Sequence, residues 1–297
     1  MKIVVTGASG RVGRAIWVLL ARTHDVVGID RAPSSTADVV GDLGDDALLR
    51  RAFVGADAIV HTAALHAPHV GVVPDAEFER VNVDGTRRVL DAAVALRVPR
   101  IVFTSSTAVY GHAATPASRA GWVDETLEPA PVTIYHRTKL AAETLLRDAA
   151  LAGGPVVRIL RMSRCFPEPA PVMAAYRLHR GVDARDVAHA HALALTHAGA
   201  AHATYVISGA TPFVHDDVDA LAVDAPSVLR RRAPDLVEEF DLRDWPLPRS
   251  IDRVYDAGLA ARELGWRSRH GVDDVLDAYD AGSPEVLPPR REWTANE

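Results

Sequence analysis

The sequence predicts an α/β fold: a doubly wound parallel sheet with a small C-terminal substrate-binding region beside it. Three observations predict it. Short β-branched runs recur along the chain, segments with apolar residues at helical spacing lie between them, and a glycine-rich turn joins the first run to the first helix. With 297 residues, 48% of them apolar and 24% charged, the chain suffices for one main core or a main domain with a smaller appendage.

Taken in order, residues 2–6 read as a strand, and Val12, Ile16, Leu19 and Leu20 place an apolar stripe on the helix that follows. Residues 25–29, 57–61 and 100–104 read as further strands, each preceded by a helix-like segment. Val81, Val89, Leu90 and Val94 predict one crossover helix within residues 78–98, ended by Pro99. Residues 135–150 recur at helical spacing, with Gly153 and Gly154 ending the element ahead of a strand at 155–160. Beyond Arg161 the stretch F-P-E-P-A-P reads as irregular. A helix near 184–197, a strand near 203–207 and helices near 256–263 and 271–281 follow, and the tail 284–297 reads as loosely ordered. These spans assign residues 1–160, with about 183–208, to the sheet domain, and 161–182 with 209–297 to the substrate side.

The formal charge of −6 argues against a nucleic-acid partner, which normally demands a concentrated basic face. No apolar run approaches the roughly 20 residues that span a bilayer, so no membrane partner is expected. The single cysteine, Cys165, excludes an internal disulfide and fits a reducing, cytoplasmic setting. The opening M-K-I-V-V-T-G enters a strand directly, without the pattern of a signal peptide. Thirteen histidines are scattered without an HExxH-like pair, so no metal site is expected.

The segment T-G-A-S-G-R-V-G places Gly7, Gly10 and Gly13, with Arg11 and Val12, between strand and helix. Glycines there permit a tight turn, backbone approach to a pyrophosphate and close helix–strand packing, and the helix N-terminus offers unpaired N–H groups to the anion. Asp30 closes the second strand where a carboxylate accepts hydrogen bonds from the adenosine ribose, which favours NAD in a Rossmann-type fold. Arg31 beside it leaves NADP open, since a guanidinium there suits a 2′-phosphate.

The order of these landmarks with G-D-L (41–43), H-T-A-A (61–64), V-N-V-D-G-T (81–86), F-T-S-S-T-A-V-Y-G (103–111), Y-H-R-T-K (135–139) and R-E-L-G-W (262–266) resembles the extended short-chain dehydrogenase/reductase superfamily, in its NAD-dependent epimerase/dehydratase branch. The resemblance implies Asp42 and Leu43 beside the adenine, Ala63 and Ala64 in the loop beneath the cofactor, Asn82 as a structural helper, and a homodimer. It further implies that Lys139 binds the nicotinamide ribose.

In the catalytic set Ser106, Tyr135 and Lys139, the two last residues lie one helical turn apart. An unperturbed tyrosine phenol, with pKa near 10, is a poor base at neutral pH, so a nearby ammonium is needed to favour phenolate. Ser106 holds the substrate oxygen while Tyr135 takes or gives its proton; Thr107, or Ser105, takes that place if the register slips by one. The stretch R-M-S-R-C-F-P-E-P followed by Y-R-L is similar to uronate dehydrogenases, which implies an arginine on the substrate carboxylate, Arg177 or Arg180. The short link after it, compared with nucleotide-sugar enzymes, predicts a more open pocket for a small substrate.

Three functions fit these residues. The first is an NAD(P)-dependent oxidoreductase acting on a small sugar, sugar acid or related hydroxy compound. The second is a nucleotide-sugar epimerase or dehydratase that keeps its cofactor. The third is a dinucleotide-sensing protein without catalysis, against which the intact Ser106, Tyr135 and Lys139 stand.

Overall fold

The computed structural model describes residues 1–289. Strand β1 (Lys2–Thr6) leads through the glycine turn into α1 (Arg11–Leu20), β2 (Asp25–Asp30) and the short β3 (Val39–Val40). Then α2 (Asp46–Phe53), β4 (Ala58–His61), α3 (Asp75–Phe78), α4 (Gly85–Ala95) and β5 (Arg100–Ser106) follow, and β6 (Gly121–Val123) precedes the long α5 (Ile134–Leu151). Strand β7 (Val156–Met162), α6 (Ala170–Arg177), α7 (Ala184–Thr196) and β8 (His202–Ile207) complete the main sheet. The remainder carries α8 (Val218–Val223), α9 (Ala225–Arg232), α10 (Pro234–Leu242), β9 (Arg253–Tyr255), α11 (Gly258–Glu263) and α12 (Val272–Asp280).

The main sheet runs β3-β2-β1-β4-β5-β7-β8, all parallel, while β6 and β9 pair separately. The chain builds outward from β1 first to β2 and β3, then to β4 and beyond, so the direction of winding reverses between β1 and β4. A crevice opens at the carboxyl ends of the strands at such a point. Period-2 side-chain alternation fills both faces. Ile3, Val5 and Val102 pack on one side with Ile16 of α1 and Val187 of α7. Val4, Ile101 and Phe103 pack on the other with Leu49, Val89 and Leu146 of α2, α4 and α5.

A third core joins α6, α8, α9, α10 and α12 through Met173, Leu221, Leu229, Phe240 and Leu276. Here the structure departs from the sequence reading. Residues 170–177 can form a helix because Pro169 precedes it and Pro171 sits in its first turn, where a missing N–H costs nothing. Helices α8 to α10 and strand β9 were not anticipated. The single helix expected at 78–98 is broken into α3, a widened π-type turn at Glu79–Asp84, and α4. Of the tail, residues 284–289 are tied down: Val286 is buried, and Leu287 donates to the Glu168 carbonyl and accepts from Ala170 N–H, each at 2.9 Å. The rest of that tail, 290–297, lies outside the described residues.

Candidate functional site

A cleft of about 700 Å³ crosses the carboxyl edge of the sheet from Asp30 to Tyr255, a size usual for small-molecule and cofactor sites. Its centre is the glycine turn. Gly7 has φ +73°, and a Cβ there would lie 2.6 Å from Ala63 N and from Thr62 Oγ1. A Cβ on Gly13 would lie 2.0 Å from the Gly7 carbonyl, so α1 can start this close to β1 only without a side chain. The turn is pinned from the next strand, since Gly7 N–H donates to Ile29 O at 2.8 Å and Asp30 accepts from Ser9 N–H at 3.0 Å and Ala32 N–H at 2.9 Å.

At the β2 end, Asp42 and Leu43 line the cleft with Asp30 and Arg31. Arg80, which the sequence reading missed, donates to both oxygens of Asp42 at 3.0 and 3.2 Å and pairs with Glu77. That pairing holds the Asp42 carboxyl below its ordinary range. Arg31 is exposed and turned toward the same two carboxylates, 4.0 Å from Asp42 and 3.7 Å from Glu77. Arg80 lay within V-N-V-D-G-T's own helix turn, but nothing local in the sequence signals that it reaches Asp42, 38 positions away.

Ala63 and Ala64 lie in the loop after β4, and that loop is held by a buried relay. Thr86 gives its proton to Asn82 O at 2.6 Å, so it accepts from His61 Nε2–H at 3.0 Å, which leaves His61 Nδ1 to accept from Thr6 at 2.7 Å. Burial pushes His61 down to about 3, as this neutral tautomer requires. Asn82, buried in the widened turn, accepts from Leu65 N–H at 2.8 Å and donates to Leu65 O and Thr138 Oγ1, both at 3.0 Å. It thereby ties the loop to α5.

At the β5 end, Ser106 closes the strand and Tyr135 and Lys139 stand on α5, whose first turn is capped by Thr133. All three line the cleft, as does Thr107. Ser106 Oγ accepts from Ala108 N–H at 3.1 Å, so its own proton is free to donate. The Tyr135 phenol is pushed up by burial, against a hydrogen bond with Ser106 that pulls it down. Lys139 Nζ donates to Thr104 O at 2.6 Å and lies 3.9 Å from the centre of the Phe103 ring. Burial pushes its ammonium down to about 7, with Glu143 opposing. Below them Glu143 accepts from Ser105 and from Arg161 at 2.7 Å, a buried ion pair that fixes the floor.

On the substrate side the two expected arginines part company. Arg180 lines the cleft. Arg177 does not: it is 3% exposed on the inner face of α6 and pairs with Asp183 at 3.0 Å. The packing of α6 turns it inward, and an irregular link would not have. Arg253 shares Asp252 with Arg180 and lines the cleft with His112 and Tyr255, missed because they come from separate parts of the chain, and with Arg164 and Phe166 of the stretch R-M-S-R-C-F-P-E-P. Among the described residues no group of three His, Cys, Asp or Glu side chains is placed to hold a metal, and no helix is long and apolar enough to cross a membrane.

A switch-point crevice with a glycine turn beneath it defines a Rossmann-type dinucleotide-binding protein. The glycine cradle fits a pyrophosphate, and the buried Arg11 Nε on that turn lacks a partner among the described residues. A family model, the NAD dependent epimerase/dehydratase family, matches residues 3–170. The chain belongs to that family, and NAD is the family's cofactor.

Relatives include L-arabinose 1-dehydrogenase (NAD(P)(+)) of Haloferax volcanii, 36% identical over 48% of this chain and 59% of that protein. Another is the NAD-dependent glucose-6-phosphate dehydrogenase of the same organism, 32% identical over 49% and 61%. A third is the N-acetyl-alpha-D-glucosaminyl-diphospho-ditrans,octacis-undecaprenol 4-epimerase of Escherichia coli O157:H7, 33% identical over 49% and 43%. The matches span less than two thirds of these relatives' length. Among solved structures, a short-chain dehydrogenase/reductase superfamily protein from Agrobacterium tumefaciens with bound NAD aligns at TM-score 0.72 and 24% identity, over 95% of this chain and 96% of that one. UDP-glucose 4-epimerase from Brucella ovis in complex with NAD aligns at 0.66 and 23%, over 93% and 96%. At these identities the structures share the fold.

Proposed function

We propose that the protein is an NAD-dependent oxidoreductase that moves a hydride to or from the hydroxyl or carbonyl carbon of a small sugar, sugar acid or related hydroxy compound. The observation that carries this is the convergence of Ser106, Tyr135 and Lys139 on the same cleft as the glycine turn.

In the oxidising direction, Ser106 donates to the substrate oxygen and Tyr135, as phenolate, takes its proton as the C–H pair leaves as hydride. NAD, when bound, supplies the hydride acceptor. Lys139 spends one N–H on Thr104 O and keeps two, enough for a ribose hydroxyl and the phenol. Asp30 receives the adenosine ribose hydroxyls. Three carboxylates, Asp30, Asp42 and Glu77, face two guanidiniums, Arg31 and Arg80, at that end, a balance that favours NAD over a 2′-phosphorylated cofactor. Arg180, with Arg253, is the candidate to hold a substrate carboxylate or phosphate.

The experiment is to incubate purified protein with NAD or NADP against sugars, sugar acids, sugar phosphates and nucleotide sugars, following the absorbance of reduced nicotinamide. Stoichiometric reduction with a free sugar or sugar acid supports this reading. Conversion of a nucleotide sugar without net reduction assigns the alternative, an epimerase or dehydratase that retains its cofactor, and sinks it.

A further inference from the structure

Residues 283–289 return from the end of α12 to the cofactor side of the cleft. Val286 is buried in the third core, and Leu287 is hydrogen-bonded to residues 168 and 170. Between α12 and these anchors, Glu285 projects its carboxylate onto the guanidinium of Arg11, on the glycine turn, and forms an ion pair with Nη1. Arg11 is 26% exposed in its side chain, yet its Nε is buried and meets no acceptor among the described residues. The thiol of Cys165 lies close enough to the Arg11 guanidinium to share a hydrogen bond with it, and the guanidinium of Arg177 bears on the same spot by charge. A buried N–H without an acceptor is unfavourable, so this atom marks a place for one.

We propose that Glu285 is a positioning residue for the dinucleotide: it holds Arg11, which lines the cleft, so that the Nε side of its guanidinium is turned to the pyrophosphate. The assignment rests on the reading that the pyrophosphate lies on the first turn of α1. A guanidinium has five N–H donors in a fixed fork, and Glu285 engages it through Nη1, leaving the Nε side for a phosphoryl oxygen. A carboxylate that merely competed for the phosphate site would take the Nε edge itself.

The test is calorimetric titration of the full chain with NAD, and with adenosine as a probe lacking the pyrophosphate, for wild type, Glu285→Gln and Glu285→Asp, with thermal melts of each protein without cofactor. Glu285→Gln weakens NAD binding roughly three- to tenfold, as expected for a partly exposed pair. Glu285→Asp, which keeps the charge, recovers part of it, adenosine binding is unchanged, and the melting temperatures stay together. Unchanged NAD affinity in Glu285→Gln overturns the assignment, and tighter binding overturns it by making Glu285 a competitor. A wild-type chain that binds no NAD overturns the underlying reading and the assignment with it, whereas wild-type binding with an unaffected variant removes only Glu285.

Discussion

Lys139 donates to the Thr104 carbonyl from a buried position, and its ammonium is held down to about 7, while burial raises the Tyr135 phenol. The one-turn spacing that places both on α5 therefore does not by itself create a base; desolvation works against the charged form of each. The proposed chemistry puts the proton on Tyr135, so Tyr135→Phe lowers turnover by roughly 10²–10⁴ while NAD still binds. Steady-state rates beside a titration with NAD check this, and undiminished turnover removes Tyr135 from the mechanism. Asp30 is engaged by two backbone N–H groups and presents its remaining lone pairs to the cleft. Asp30→Ala shifts the ratio of NADP to NAD affinity upward by roughly tenfold, because Arg31 and Arg80 then face one carboxylate fewer. Equal ratios in wild type and variant would show that this carboxylate does not select the cofactor.

The widened turn at Glu79–Asp84 lines the cleft with Arg80 and Val81 and, through Asn82, also positions the elements around it. Its extra residue per turn aims Asn82 at Leu65 and Thr138 at once, between the cofactor loop and the helix that carries Tyr135 and Lys139. Asn82→Ala strands the Leu65 N–H and C=O in a buried place and is expected to cost about 1–3 kcal/mol of stability. Urea unfolding of variant and wild type measures it; a loss near zero would mean that water or relaxation replaces the amide. The π-type turn was not legible because its apolar spacing imitates an ordinary helix, and only the distant partners of Asn82 distinguish the two. Helix α6 was hidden for a related reason: prolines that interrupt a helix interior are harmless in its first turn.

Across the whole molecule three buried histidines are held neutral. His61 and His179 are pushed down to about 3 and His191 to about 4, from an ordinary 6.5, each by burial. Tautomers are fixed by neighbours: His191 gives its Nδ1 proton to Val187 O at 2.8 Å and accepts from Thr104 at 2.7 Å, on the strand beneath Lys139. The unfolded chain binds these protons at a pH where the folded one does not, so stability is full above about 6.5 and falls as pH drops toward 4. The slope is at most about 1.4 kcal/mol per pH unit for each histidine. Denaturant midpoints measured from pH 7 to 4.5 check it, and a flat profile would show that the rings find water or charge in place.

Gly7, Gly13 and the period-2 strands were determined by local sequence, because left-handed φ, close backbone contact and alternation are properties of a few adjacent residues. They suffice for the parallel sheet, for its glycine turn and for placing Ser106 at a strand end and Tyr135 and Lys139 in the first two turns of a helix. What only the tertiary structure decided were pairings between distant segments: Arg80 with Asp42, Arg253 beside Arg180, Arg177 turned inward to Asp183, and Glu285 on Arg11. Charged side chains carry no periodic signature, and their partners are chosen by how helices and loops pack, so the identity of a residue fixes its chemistry while the fold fixes whom it meets.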